Sequence, residues 1–334
     1  MGWLGILRRI FMLVAVIVTA ATLNFALPKL SPKNPIETKL LEMSAQGGAL
    51  TDISGLVKNY EAKFGLDKPL LVQYGNYLVG LATFDLGYSI AFYPMRVSEL
   101  IFTALPWTIG LLLVSTLLAF VIGTLFGALT AWEGAPRALK AMAPGVIVFA
   151  ALPYYLLGLV LVYLFAFVWS VFPLQGGYSL MATPSWSMEF ALDVLYHALL
   201  PGLSIVLTSI GGWALTTRGM MIMVQGEDYM VYAESNGLGA RRRFFSYGLR
   251  NVMLPQVTAL ALHLGHIAAG AVLVERVFAY PGVGMVLFKA IEQSDYFVIY
   301  GVVYIMVVMV ALAMLITELL YPLLDPRVRM GNNA

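Results

Sequence analysis

Three histidines, no cysteine and eighteen acidic residues are the stock from which this chain could assemble a reactive cluster. His263 and His266 stand three apart, a spacing that puts both on one face of a helix. A zinc-type site needs three or four ligands, and no nearby Cys, Asp or Glu completes this pair. Two readings remain for them: a polar contact across helices, or a place in the wall of a pathway. His197 is the third histidine, and with no cysteine and so few histidines clustered metal or thiol chemistry is not expected. GLGARR at 237–242 lacks the GxxxxGK[ST] order of a phosphate loop, and GVG at 282–284 falls between two apolar runs. No catalytic residue is assigned, and no metal or other cofactor is expected on this chain. Without a phosphate loop it does not hydrolyse ATP itself.

The elements that carry these residues are set by composition. Of 334 residues, 60% are hydrophobic and 11% charged, with a mean hydropathy of +0.84. Soluble domains carry about 25% charged residues, so the bilayer is the sink for the excess apolar surface. Lack of cysteine excludes a disulfide scaffold. A formal charge of +2 is too small to point to nucleic acid.

Six apolar segments are long enough to span a membrane: 9–27, 104–131, 142–169, 194–216, 252–274 and 298–321. Arg8 and Arg9 precede the first run, and Pro28-Lys29 follow it without a small-residue cleavage site, as expected of a retained signal anchor. Orientation follows from Lys and Arg. With both termini inside, the cytoplasmic pieces hold eleven basic residues, the 170–193 loop none and the 275–297 loop two, Arg276 and Lys289. The 28–103 segment holds seven, but long translocated loops are largely exempt from this bias.

The 28–103 segment is expected to form a small extracytoplasmic cap of two or three short helices. Ile53, Leu56, Val57, Tyr60 and Phe64 have helical spacing, and FGLDKP (64–69) and FDLGYS (84–89) read as turns. Either this cap packs on the bundle or it meets a delivered ligand or partner protein. In the second span, Pro106 suits a first helical turn, and Gly123 and Gly127 form a small-xxx-small pair that favours close helix approach. Pro144 and Pro153 predict kinks in the third span. The 172–188 loop carries Gly176, Gly177 and Pro184 and turns back as a re-entrant or surface element. Gly211-Gly212 is expected to loosen the fourth span near its middle. Both glycines are candidate pathway residues, close packing being the alternative. Glu275, Arg276 and Glu318 lie near span ends, where they reach water.

One hydrophilic stretch, GEDYMVYAESNGLGARRRFFSYGLRNVMLP (Gly226–Pro255), separates the fourth and fifth spans and faces the cytoplasm. Glu227, Asp228 and Glu234 lie toward the start of an expected helix, and Arg241, Arg242 and Arg243 lie beyond Gly237 and Gly239. Acid first and base last suits the helix dipole, although the glycines divide the stretch in two. Tyr229, Tyr232 and Ala233 would form one exposed apolar stripe for a partner. Lipid headgroups holding an interfacial helix are the other reading.

Thr217–Pro255 resembles the cytoplasmic "EAA" loop of the permease subunits of ATP-binding-cassette importers, in the first-permease branch of the oligopeptide/dipeptide/nickel family. Gly237 matches that loop's glycine, and Arg250, Asn251, Leu254 and Pro255 match its LRNxxLP ending. GLDKPLLVQY (65–74), DLGYS (85–89), ELIFTALPWT (99–108), GAVLVERVFAYPGVG (270–284) and LLDPRVR (323–329) are similar in the same order along the chain. Val231 stands where the generic signature opens with an acid, and SPKNPIETK (31–39) replaces a GD pair that often follows the first span.

The resemblance implies an all-α membrane protein of the type I importer fold. It would have a first span (1–27), a cap (28–103), a core permease domain (104–324) with a coupling loop at 217–250, and a cytoplasmic tail (325–334). Glu227, Asp228, Tyr229, Tyr232, Ala233, Glu234, Gly237, Arg241 and Arg250 would meet an ATPase. Implied partners are a second homologous permease, two cytoplasmic ATPase subunits that use ATP and Mg, and an extracytoplasmic solute-binding protein. Short peptides and oligosaccharides are both implied as cargo. GGWALTTR (211–218) and the PSW turn (184–186) look more like members that take up oligosaccharides or glycosides. An ion-coupled carrier would show internal repeats or buried coupling charges. A non-catalytic scaffold is the other alternative.

Overall fold

A computed structural model describes residues 3–29, 36, 53–266 and 272–324. Expectations for the rest of 28–52, for 267–271 and for the 325–334 tail lie outside the described residues.

The described chain is helical, with a lone backbone bridge between Tyr88 and Arg96. In order, the helices are α1 (Trp3–Lys29), α2 (Ile53–Phe64), α3 (Leu70–Thr83), α4 (Val97–Ala131), α5 (Arg137–Phe149) and α6 (Tyr154–Leu161). A π-helical turn, Val162–Val168, continues α6. Then come α7 (Met188–Gln225), α8 (Asp228–Ser235), the short α9 (Ala240–Arg242), a second π-helical stretch (Arg243–Leu249) and α10 (Arg250–His266). Last are α11 (Val272–Val277), α12 (Val283–Glu292) and α13 (Tyr296–Leu324).

Among the described residues, four helices are long and apolar enough to cross a membrane: α1, α4, α7 and α13. α5 and α6 with its π-helical turn add a fifth crossing if they form one span, bent by 103°. Pro153 stands before the first residue of α6, so the bend falls where proline rejects a preceding helical residue. This is a multi-pass, all-α membrane protein. Three details depart from the sequence reading. α4 begins at Val97, so Pro106 lies inside the helix and not in its first turn. α7 runs unbroken through Gly211-Gly212, because Gly211 is packed on a neighbour. Glu275 does not reach water; it is fully buried.

The chain divides into two compact units. The first comprises 1–108, 268–272 and 281–312. Its core gathers Ala21 of α1, Leu81 of α3, Val97, Ile101 and Ala104 of α4, Val283 and Ala290 of α12, and Val298, Val302 and Ile305 of α13. Asn24 Nδ2 donates to the Tyr300 carbonyl (3.1 Å), and the rings of Phe25, Tyr74, Tyr77 and Tyr300 cluster beside it. Lys29 Nζ, at the end of α1, donates to Gln73 Oε1 (2.6 Å), and burial lowers its pKa. The α2 stripe behaves as its spacing predicts: Leu56, Val57 and Phe64 pack on Ile36 and Ile90. Asp295 is fully buried just ahead of α13. It caps that helix by accepting from Val298 N (3.2 Å) and grips the 84–96 loop by accepting from Ser89 Oγ (2.5 Å) and Ala91 N (2.9 Å).

The second unit comprises 109–267, 273–280 and 313–334. It is built on glycine contacts. A Cβ on Gly123 would lie 2.6 Å from Trp213 Cβ and 2.8 Å from the Ile210 carbonyl oxygen, so α4 and α7 touch backbone to backbone here. Gly127 repeats the contact one turn on, against Ala214. The small-xxx-small pair therefore does what its spacing predicts. Gly158 makes room for the Phe278 ring. The 172–188 segment is irregular apart from its last residue, Met188, which opens α7. Leu180, Met181 and Trp186 within it are fully exposed.

Candidate functional site

α7 ends at Gln225, where Gln225 Nε2 donates to the Ala131 carbonyl (3.1 Å) and ties it to the end of α4. Gly226 and Glu227 then turn the chain, and Glu227 takes the extended conformation of an N-cap (φ −76°, ψ 144°). With Glu227 at its cap and Asp228 in its first turn, α8 has acids at its positive end.

The C-terminus of α8 is a Schellman motif. Gly237 adopts φ +74°, its N–H bonds to the Glu234 carbonyl (2.8 Å), and Leu238 N–H bonds to the Ala233 carbonyl (3.1 Å). A left-handed residue at this position is the physical demand that a glycine meets without strain. The chain then re-enters a helix at Ala240 that continues through the π-helical stretch into α10.

Two expectations about α8 are corrected. Ala233 is buried and does not share the exposed stripe; with Met230 it forms the inner face, while Tyr232 and Val231 are exposed and Tyr229 is partly so. An eight-residue helix has about two turns, and residues 230 and 233 share one side of it. Glu234 is not near the helix start but next to its last residue. Its carboxylate meets Arg243 Nη1 at 2.8 Å, which draws the acid off the dipole argument and into an ion pair.

Where α4, α7 and the run into α10 meet lies a small core of Ala128, Met221, Phe244 and Val252, with Trp132 and Leu249 packed on it. Phe244 stands edge to face with Trp132 at 5.3 Å. Arg241 and Arg242 are exposed and, with Phe245 and Ser246, line an open hollow of about 570 Å³; Arg250 is exposed as well. The α8 face and the arginine-lined hollow therefore present exposed apolar and basic groups side by side in the sequence.

The pathway candidates are not brought together as a set. Gly211 is packed on α5: a Cβ there would lie 2.7 Å from the Val146 carbonyl oxygen and 2.8 Å from Ala150 Cβ. Gly212 faces open space. His263 meets the Trp213 ring edge to face at 5.8 Å, a contact from α10 to α7. The His266 side chain lies outside the described residues. Among the described residues no group of three or more His, Cys, Asp or Glu side chains could hold a metal ion.

Sequence reasoning missed Asn251 and Arg243 as organising residues. Asn251 Nδ2 donates to Tyr229 Oη (3.2 Å) and to the Tyr247 carbonyl (2.7 Å). In the sequence Asn251 stands out only as part of the LRNxxLP ending, and nothing in a linear string pairs it with a tyrosine 22 residues earlier.

Residues 123–330 match the family described as the binding-protein-dependent transport system inner membrane component. The chain belongs to this family. It is 31% identical over 324 residues to the oligopeptide transport system permease protein AppB of Bacillus subtilis (strain 168), covering 97% of this chain and 98% of that protein. It is also 30% identical to the di/tripeptide transport system permease protein DppB of Pseudomonas aeruginosa (strain UCBPP-PA14) over 97% of this chain and 98% of the relative. The dipeptide transport system permease protein DppB of Escherichia coli (strain K12) is 28% identical, again over 97% and 98%. The permease is thus a membrane-spanning subunit of an ABC-type importer and not itself an enzyme. Nothing in these likenesses supports the ion-coupled carrier.

Proposed function

We propose that the permease forms half of a pathway for short peptides and that α8 is its coupling helix, seated in a groove of an ATPase subunit. Support for the seat is the geometry of α8: a short helix between two apolar helices, anchored by Met230 and Ala233, showing Tyr232 and Val231 outward. Glu227, Asp228, Tyr229, Glu234, Gly237, Arg241 and Arg250 are assigned to the same seat, and Ala233 is buried on the inner face of α8. The names of the relatives, which are oligopeptide, dipeptide and di/tripeptide permeases, favour peptides over oligosaccharides as cargo.

In this reading there are six spans, the fifth starting in α10, and both termini are cytoplasmic. Residues 28–103 form an extracytoplasmic cap, 104–324 the core permease domain with its coupling loop at 217–250, and 325–334 a cytoplasmic tail. A second homologous permease completes the pathway, two ATPases hydrolyse ATP with Mg, and a solute-binding protein delivers the peptide. ATP-driven closure of the ATPases biases a two-state bundle between outward- and inward-facing forms.

The complex reconstituted with its binding protein tests this reading through stimulation of ATP hydrolysis. Peptides of two to five residues are expected to stimulate and oligosaccharides to leave the rate unchanged; stimulation by neither sinks both cargo readings. Gly237→Pro tests the seat. Proline holds φ near −65° and has no N–H, so it opposes the +74° that Gly237 adopts and deletes the bond to Glu234, at a local cost of more than about 1 kcal/mol. Uptake should fall to background and ATPase co-purification should drop, with membrane insertion intact. Coupled uptake that survives the substitution would remove α8 from the seat.

A further inference from the structure

We infer that the coupling helix is fastened to the start of α10 and not to the end of α7, with Arg243 and Asn251 as the positioning residues and Gly226-Glu227 as the joint. This rests on the docking reading of α8.

The two junctions of α8 differ in kind. On its N-terminal side the connection is one exposed glycine and one extended residue, held by Gly226 N–H to the Met223 carbonyl (3.0 Å) and Glu227 N–H to the Val224 carbonyl (3.2 Å). A Cβ on Gly226 would meet nothing closer than 3.5 Å, so no side chain packs the joint against its surroundings.

On its C-terminal side α8 is tied at both ends by side chains. Its first turn is held by Tyr229 Oη to Asn251, whose amide is itself fixed on the Tyr247 carbonyl. Its last turn is held by Glu234 to Arg243 (2.8 Å). The same guanidinium donates from Nε to the Leu238 carbonyl (3.2 Å), just past the Schellman turn, and lies over the Trp132 ring at 6.0 Å.

Two ties matter more than one. A helix of eight residues is about 12 Å long, and a single tie leaves it free to swing about that point. Ties at both ends fix its direction as well as its place. Arg243 and Asn251 lie on the continuous helical run that leads from Ala240 into α10, so a push on α8 is delivered to that run. Arg243 opens the π-helical stretch Arg243–Leu249 and Asn251 follows two residues after its end; π-helical turns often mark functional sites within helices.

The chain has no cysteine, so nitroxide-label pairs can be introduced without removing native thiols. One pair, Ser235→Cys with Ser246→Cys, spans α8 and the run into α10. A second, Ser235→Cys with Met223→Cys, spans α8 and α7. In the complete complex, the first distance is expected to stay constant between nucleotide-free and vanadate-trapped states, while the second shifts by about 2 Å or more, the scale of helix shifts in switching proteins.

Arg243→Gln with Asn251→Leu should make the first distance move and lower the number of peptides imported per ATP hydrolysed about fivefold or more. Glu234→Arg alone should do part of this, and Glu234→Arg with Arg243→Glu should restore both readouts, which a misfolded protein cannot do. The inference is overturned if the first pair moves as much as the second in the unmodified chain, or if its distance stays constant after both ties are removed. If neither pair responds while ATPases still co-purify and hydrolyse, the docking reading fails first and takes this inference with it.

Discussion

Gly127→Ala is expected to destabilise the permease by about 3 kcal/mol, near the upper end of the usual cost of overpacking. The reason is the identity of the neighbour. A Cβ at Gly127 would fall inside the contact distance of the Ala214 carbonyl oxygen and 2.9 Å from both Ala214 C and Ala214 Cα. A side chain can swing away from an added methyl group; a helix backbone cannot. α4 and α7 would have to separate, and the contact of Gly123 with Ile210 and Trp213 one turn earlier would open with it. Between helices in lipid, close backbone approach supplies much of the attraction that the hydrophobic effect supplies in water. Thermal unfolding of the detergent-solubilised protein should show the loss, and Gly127→Val should lose more. A midpoint unchanged by Gly127→Val would mean that α4 and α7 do not meet here.

Gly211 and Gly212 make a matched pair of controls within one helix. Gly211→Ala places a methyl group 2.7 Å from the Val146 carbonyl oxygen and should destabilise in the same assay. Gly212→Ala meets nothing within 4 Å. It should be neutral or slightly stabilising, since alanine is favoured over glycine in helices by about 1 kcal/mol. Any loss of uptake in Gly212→Ala would therefore not come from packing within this chain.

How much of this was legible depends on whether the signal is local. The apolar runs that became α1, α4, α7 and α13 are local, and length and hydropathy suffice for them. So is the α2 stripe, whose Leu56, Val57 and Phe64 all find the same small core. Gly237 is local too, since a left-handed turn must be made by a residue at that spot. What escaped is relational. Gly211 looked like a weak point in α7, yet α7 runs through it unbroken with α5 packed closely against it. Ala233 looked like part of an outer stripe because a helical wheel does not say which side its neighbours lie on. Glu234 looked like a dipole acid, and only the return of the chain at Arg243 made it half of an ion pair. Glu275 looked solvated because span ends usually are, yet it is completely buried.

Asp295→Ala is expected to cost about 4 kcal/mol, because three separate groups lose their acceptor in one substitution. Val298 N–H loses the cap of α13, and Ser89 Oγ and Ala91 N–H lose the side-chain oxygen they share. Ser89 is fully buried, so its hydroxyl cannot turn to water for compensation. The loss spreads along the loop. Ser89 Oγ also accepts from Phe92 N–H (2.8 Å), Ser89 N–H bonds to the Met95 carbonyl (3.0 Å), and Val97 N–H, at the start of α4, bonds to the Gly87 carbonyl (3.1 Å). One side chain before α13 thus orders the segment that launches α4, two elements separated by some 200 residues of chain. Asp295→Asn retains one acceptor oxygen and should cost about half as much; Asp295→Ser, which can still cap the helix but cannot reach both loop donors, should fall between Asn and Ala. Limited proteolysis gives the local readout: cleavage within 84–96 should rise in the order Asn, Ser, Ala. Equal cleavage in all three would mean that the loop is held by its own backbone bonds and that Asp295 serves only as a helix cap.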